Sequence, residues 1–115
     1  LHSGELGPVA TLCRAVPELR VVLAHPGDAR DTILERLRLV GAIPNLHLDI
    51  SGSGIDRYGM LRAAVAIAGA DKLLFGSDYP INNPAVYVSG LRQEALSSAD
   101  RAAIFAGNFR RLTGL

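Results

Sequence analysis

Two imidazoles and one carboxylate, His2, His25 and Asp78, are the side chains of this sequence best suited to chemistry; His25 and Asp78 each end or closely follow an apolar run, and His2 follows Leu1. These are ligand types taken by zinc and similar transition metals. They are equally the types that transfer protons near neutral pH. The sequence contains no His-x-His and no His-x-x-x-His, so spacing leaves metal binding, proton transfer and a structural role all open. His25 before Pro26-Gly27 could simply bond its turn, and Asp78 in Gly76-Ser77-Asp78-Tyr79-Pro80 could be an Asx-turn residue. His47 alternates with Leu46 and Leu48, which suits a ring packed inside the fold. Asp49 and Ser51 could orient ligands or cap the next helix, and Asn108 reads as a helix-corner cap.

The elements that must position these groups follow from periodicity. Leu6, Val9, Ala10, Cys13 and Val16 predict a helix over 7–16, with Pro8 in its tolerant first turn. Residues 19–24 read as a β-branched strand ending at His25. Ile33, Leu34, Leu37 and Val40 stripe the next helix, with Asp28 or Asp31 as its cap and Gly41 as its terminator. Arg30, Glu35, Arg36 and Arg38 are expected on its wet side. Pro44-Asn45 turns the chain into a strand over 46–50 with alternating faces, and Ser51-Gly52-Ser53-Gly54 reads as a flexible loop. Leu61, Ala64, Val65 and Ala68 mark a helix that stops near Gly69. The buried strand of Lys72-Leu73-Leu74-Phe75 then leads to Asp78. Asn83 caps and Pro84 opens a helix toward Leu91. Ser97 and Asp100 have capping-box spacing and launch a last helix through Ile104 and Phe105, broken near Gly107-Asn108.

Strands thus recur about every 25 residues, the length of one βα unit with short loops. Such alternation demands a parallel sheet, and one more strand end is implied before the first helix. The fold class is α/β: either half of an eight-stranded (β/α) barrel or a small doubly wound sheet. In both, strand tips line one edge, so His2, His25, the Asp49/Ser51 pair and Asp78 converge there.

Composition bounds the function. The chain has 115 residues, 49% hydrophobic and 20% charged, enough for one domain with a core. A formal charge of +1 without a basic run gives no footprint for nucleic acid. No apolar run approaches a membrane span, which takes about 18 residues or more, and no signal peptide is recognisable. The lone Cys13 excludes an intramolecular disulfide and a cysteine-based zinc site, and suits a reduced, cytoplasmic setting.

Taken together, four motifs resemble the C-terminal half of the amidohydrolase superfamily's metal-dependent TIM barrels, specifically the amidohydrolase-2 family. They are Leu1-His2-Ser3-Gly4, Val21-Val22-Leu23-Ala24-His25-Pro26-Gly27, Pro44 through Gly52, and Leu74-Phe75-Gly76-Ser77-Asp78-Tyr79-Pro80. A closing Gly107-Asn108-Phe109-Arg110-Arg111-Leu112 looks like the family's ending, with Phe109 in place of the usual Ala. The resemblance spans essentially the whole chain and implies barrel strands five to eight. It implies His2 as a metal ligand, His25 as the imidazole that contacts metal or substrate, and Asp78 as metal ligand and base toward the attacking water. His47 inherits no role. The implied cofactor is a divalent metal, zinc first and manganese second. The implied reaction is hydrolysis of an ester, lactone or amide, with non-oxidative decarboxylation of aromatic acids as the alternative on the same scaffold. A non-catalytic doubly wound domain that binds a small ligand is the alternative of another class.

The family's first strand supplies a His-x-His or related pair that this chain does not contain. The expectation is a single partial domain over 1–115, from a longer parent or from a homo-oligomer that completes the barrel, inactive by itself and exposing the edges of its first and last strands. The partner is expected to be a small-molecule substrate.

Overall fold

Short β-branched and leucine runs separated by amphipathic stripes produce alternating strands and helices. The structure, a computed structural model, describes residues 3–115. A 3-10 turn, Ser3–Glu5, leads into α1 (Leu6–Ala15), followed by β1 (Val21–Ala24), α2 (Arg30–Ala42), β2 (Leu46–Asp49) and α3 (Met60–Ala68). A 3-10 turn, Ala70–Lys72, precedes β3 (Leu73–Leu74), and α4 (Pro84–Gln93) comes next. The last helical rod joins α5 (Ser98–Ala102), a π turn (Ala103–Gly107) and α6 (Asn108–Thr113).

The sheet is parallel throughout in the order β1-β2-β3, as the βα alternation requires. Leu48 pairs with Leu23 and Leu73, while Asp49 pairs with Ala24 and Leu74. Because side chains alternate across a strand, Leu23, Leu46, Leu48 and Leu73 share one face, and all are buried. Helices α1, α2 and α3 add Cys13, Leu37, Val40, Leu61 and Ala64 to that core. Burying a leucine of this kind stabilises by about 1.5–3 kcal/mol. The other face carries Val22, Ala24, His47, Asp49 and Leu74. Both faces of β2 are covered: Leu46, His47 and Leu48 are all buried, with His47 packed inside the fold as its alternation with the leucines suggests. None of the described helices is long and apolar enough to cross a membrane.

Asn83 accepts from Ala85 N at 3.0 Å and Ser97 Oγ accepts from Asp100 N at 3.1 Å, so both expected caps form. Four other readings are corrected. The N-cap of α2 is Ala29 in extended conformation, without a side-chain bond from Asp28 or Asp31. Gly41 lies inside α2, not beyond it. A Cβ there would stand 2.7 Å from Ile67 O and 3.3 Å from Ala68 Cα, so the glycine permits close packing of α2 on α3. Arg36 is buried rather than wet. Asn108, expected at a corner, is buried and donates from Nδ2 to Ala70 O at 2.6 Å and Leu73 O at 2.8 Å.

Asn108 also changes the picture of the sheet edge. Leu73 O accepts from Asn108 Nδ2, and Phe75 N donates to Ile104 O, 3.0 Å away, within the π turn. The outer edge of the last strand is therefore covered by the C-terminal helix instead of standing open, one of the ways folds blunt an edge.

Candidate functional site

The C-terminal ends of the strands carry the candidate groups, as in other parallel α/β folds. His25 follows β1 directly with φ 70°, and Asp78, four residues beyond β3, has φ 58°. Both lie in the left-handed region, which non-glycine residues rarely enter, although Asp and His tolerate it better than most. Such a conformation costs on the order of 1–2 kcal/mol, so the surroundings must hold it. At His25 the holder is Arg36, whose Nη1 donates to His25 O at 2.7 Å.

The ring of His25 is oriented by the residues after β2. Its Nδ1 lies 2.9 Å from Ser51 O and 3.2 Å from Ser51 Oγ. A carbonyl oxygen only accepts, so Nδ1 carries a proton, and in the neutral ring the lone pair is on Nε2. Ser51 is itself fixed by Asp49: Ser51 N donates to Oδ1 at 2.9 Å and Ser51 Oγ donates to Oδ2. In the 51–54 loop Ser51 is buried and Tyr87 Oη donates to Gly52 O at 2.8 Å. Two glycines allow this arrangement. A Cβ on Gly52 would run into the His25 ring, and a Cβ on Gly76 would run into the Asp49 carboxylate.

A cleft of about 520 Å³ opens at these tips. His25 and Asp78 line it together, with Asp28, Asp56, Ile81 and Tyr87. Burial pushes the Tyr87 phenol up, opposed by its bond to Gly52 and reinforced by Asp78, Asp49 and Asp56. Another cleft, about 300 Å³ between α2 and α3, is lined by Ile33, Leu37, Arg57 and Met60 and holds none of the strand-tip groups.

The structure thus brings His25 and Asp78 to one cleft and places Asp49 and Ser51 behind His25. His2 lies outside the described residues. His47 is away from this cleft, buried on the sheet beside Lys72 and Arg111 in another cavity. Burial, chiefly, and then the Lys72 charge hold its imidazole below the ordinary value. Sequence reasoning missed Tyr87, Asp28 and Asp56 as cleft residues. Only the spacing of Tyr87 with Leu91 on one face of α4 hinted that it points inward.

An imidazole lone pair and a carboxylate are donors suited to a divalent metal. Among the described residues no three His, Cys, Asp or Glu side chains converge as a complete ligand set. The chemistry of the two donors fits such a metal, and their number leaves room for further ligands.

The profile of the Amidohydrolase family (Amidohydro_2) matches residues 3–115. No curated protein matches at a significant level. Among solved structures, a zinc-bound amidohydrolase from Burkholderia multivorans is 26% identical with a TM-score of 0.76, and the match covers 97% of this chain and 50% of that one. A protein from Pseudomonas putida assigned as a 2-pyrone-4,6-dicarboxylic acid hydrolase is 26% identical at TM-score 0.68, covering 95% and 49%. A dihydroxybenzoic acid decarboxylase from Polaromonas sp. JS666, with bound manganese and the inhibitor 2-nitroresorcinol, is 25% identical at TM-score 0.66, covering 90% and 36%. The chain spans about a third to a half of the length of these structures. Its parallel βα units match part of a barrel.

Proposed function

Because the chain belongs to the amidohydrolase family, we propose that it contributes His25 and Asp78 to the metal-dependent site of a hydrolase acting on an ester, lactone or amide. The observation that carries this reading is the pairing, in one cleft, of an imidazole whose Nδ1 is spent on Ser51 with the carboxylate of Asp78. Zinc, or manganese as the second candidate, would polarise the scissile carbonyl and bring a bound water toward neutrality. His25 presents the Nε2 lone pair to the metal, and would contact a substrate carbonyl oxygen only once Nε2 has taken up a proton. Asp78, free to accept, takes the proton released by the attacking water. Catalytic zinc sites usually have three protein ligands. His25 and Asp78 supply two, and His2 is the proposed third. Because the family's first-strand His-x-His or related pair is not among these residues, the chain by itself is proposed to hold metal weakly and to be inactive.

Non-oxidative decarboxylation of an aromatic acid is the second reading, favoured by the likeness to a dihydroxybenzoic acid decarboxylase. His25, after taking up a proton on Nε2, or one of the neighbouring acids, Asp28 or Asp56, in its protonated form, would then deliver that proton to the ring carbon as carbon dioxide leaves. Calorimetric titration with zinc and with manganese tests the site. Weak binding abolished in both His25→Ala and Asp78→Asn supports it, and binding unchanged in both removes it. Acid release from a lactone, against carbon dioxide release from a hydroxybenzoate, separates the reactions once the protein carries its full ligand set. Robust turnover by this chain alone would contradict the proposed incompleteness.

A further inference from the structure

The carboxylate of Asp49 belongs to neither candidate ligand, yet it touches what positions both. We infer that Asp49 is the positioning residue of the cleft: it fixes the proton of His25 on Nδ1 through Ser51, and it abuts Gly76 in the turn that leads to Asp78. The role of the freed Nε2 rests on the function proposed above; the positioning itself does not.

A serine hydroxyl has one proton. Ser51 Oγ gives it to Asp49 Oδ2, a carboxylate oxygen that only accepts. The hydroxyl therefore turns a lone pair toward His25 Nδ1, 3.2 Å away. Ser51 O, at 2.9 Å, presents lone pairs as well. Nδ1 faces two acceptors, so the tautomer with its proton on Nε2 would set lone pair against lone pair. Gly52 packs on the same ring too closely for a Cβ, leaving little space for reorientation. On its other side the Asp49 carboxylate fills the space where a Gly76 Cβ would project. One carboxylate thus ties the turn after β2 to the turns after β1 and β3.

Removing Asp49 frees the Ser51 proton to swing toward Nδ1 and stabilise the other tautomer. Removing the hydroxyl as well leaves only the carbonyl, which again demands a proton on Nδ1. The test is long-range proton–nitrogen NMR of imidazole-labelled protein without metal, at a pH where the ring is neutral, with the His25 signal assigned by His25→Gln. Wild type is expected to show the Nδ1-protonated form in excess. Asp49→Ala should lower that ratio about five- to tenfold, the worth of one hydrogen bond. Ser51→Ala should keep it, and the double variant should recover it. Gly76→Ala, which displaces the Asp49 carboxylate without touching His25, should lower the ratio as Asp49→Ala does and serves if that variant fails to fold. An unchanged ratio in Asp49→Ala, or in Gly76→Ala where that variant stands in for it, would overturn the inference, as would a double variant that fails to recover. Because the readout needs no metal, a wild-type chain that binds none would defeat the functional reading and leave this one standing.

Discussion

Gly52→Ala isolates the contact on which the orientation of His25 depends. Gly52 has φ +72° and no room for a Cβ beside the imidazole, whereas Gly59 has φ +90° and nothing within 4 Å of a Cβ. The same substitution at the two sites therefore imposes a similar backbone penalty but a different collision. A left-handed conformation costs alanine about 1–2 kcal/mol, and the lower entropy of the unfolded chain returns about 0.4–1 kcal/mol. Gly59→Ala should then destabilise by about 1.5 kcal/mol or less. At Gly52 the methyl group must displace the ring, adding the roughly 1–3 kcal/mol typical of overpacking and about 1 kcal/mol for a lost bond to Ser51. With the backbone penalty, a total of about 2–5.5 kcal/mol is expected. Urea denaturation followed by circular dichroism measures both, and equal slopes would show that the denatured states match. If the two variants agree within about 0.5 kcal/mol, a resolution normal for such comparisons, the His25–Gly52 contact does not constrain the site.

Glu94 is buried and receives Gly59 N on both carboxylate oxygens, at 3.1 and 3.0 Å, at the start of α3. Glu94→Gln should cost about 1–2 kcal/mol in the same assay, the worth of a charged group at a helix N-terminus. His47, held below its ordinary value by burial first and Lys72 second, binds its proton less readily folded than unfolded. Stability should therefore fall as pH drops below about 6.5, with a slope from this group of at most about 1.4 kcal/mol per pH unit. His47→Gln should flatten the fall between about pH 7.5 and 5.5 relative to wild type, as read from urea midpoints. Lys72 Nζ donates to Val40 O, Ile43 O, Pro44 O and Leu46 O at 2.7–3.3 Å. Lys72→Met should destabilise by about 2–4 kcal/mol, because buried carbonyls lose their donor, with amide exchange rising first where α2 meets β2.

Local signals carried much of this fold. The βα alternation, the caps at Asn83 and Ser97, and the apolar stripe of α2 depend on residues within a few positions of one another, and they read correctly. Arg36 shows where local reading stops. It lies three residues after Ile33 and four before Val40, so its spacing puts it on the buried face. Its charge suggested solvent instead. The long side chain resolves the conflict by reaching His25 O, a partner that only the tertiary fold supplies. Gly41 and Asn108 mislead for a similar reason. A glycine near a helix end resembles a terminator, and an asparagine after glycine resembles a corner, but both are fixed by backbone from elsewhere, Ile67 for one and Ala70 and Leu73 for the other. At the site, the strand-tip rule located His25 and Asp78. The proton accounting through Asp49 and Ser51, and the brace from Tyr87, depend on distances between loops that no periodicity encodes.

The central claim is that His25 and Asp78 face one cleft as donors to a divalent cation. Substoichiometric manganese, added to nitrogen-15-labelled protein, tests it directly, because the paramagnetic ion broadens the signals nearest to it. The account predicts that His25 and Asp78 broaden first, ahead of His47 and Lys72, and that Asp78→Asn abolishes the selectivity. Broadening that begins near His47, or that survives Asp78→Asn unchanged, would contradict it.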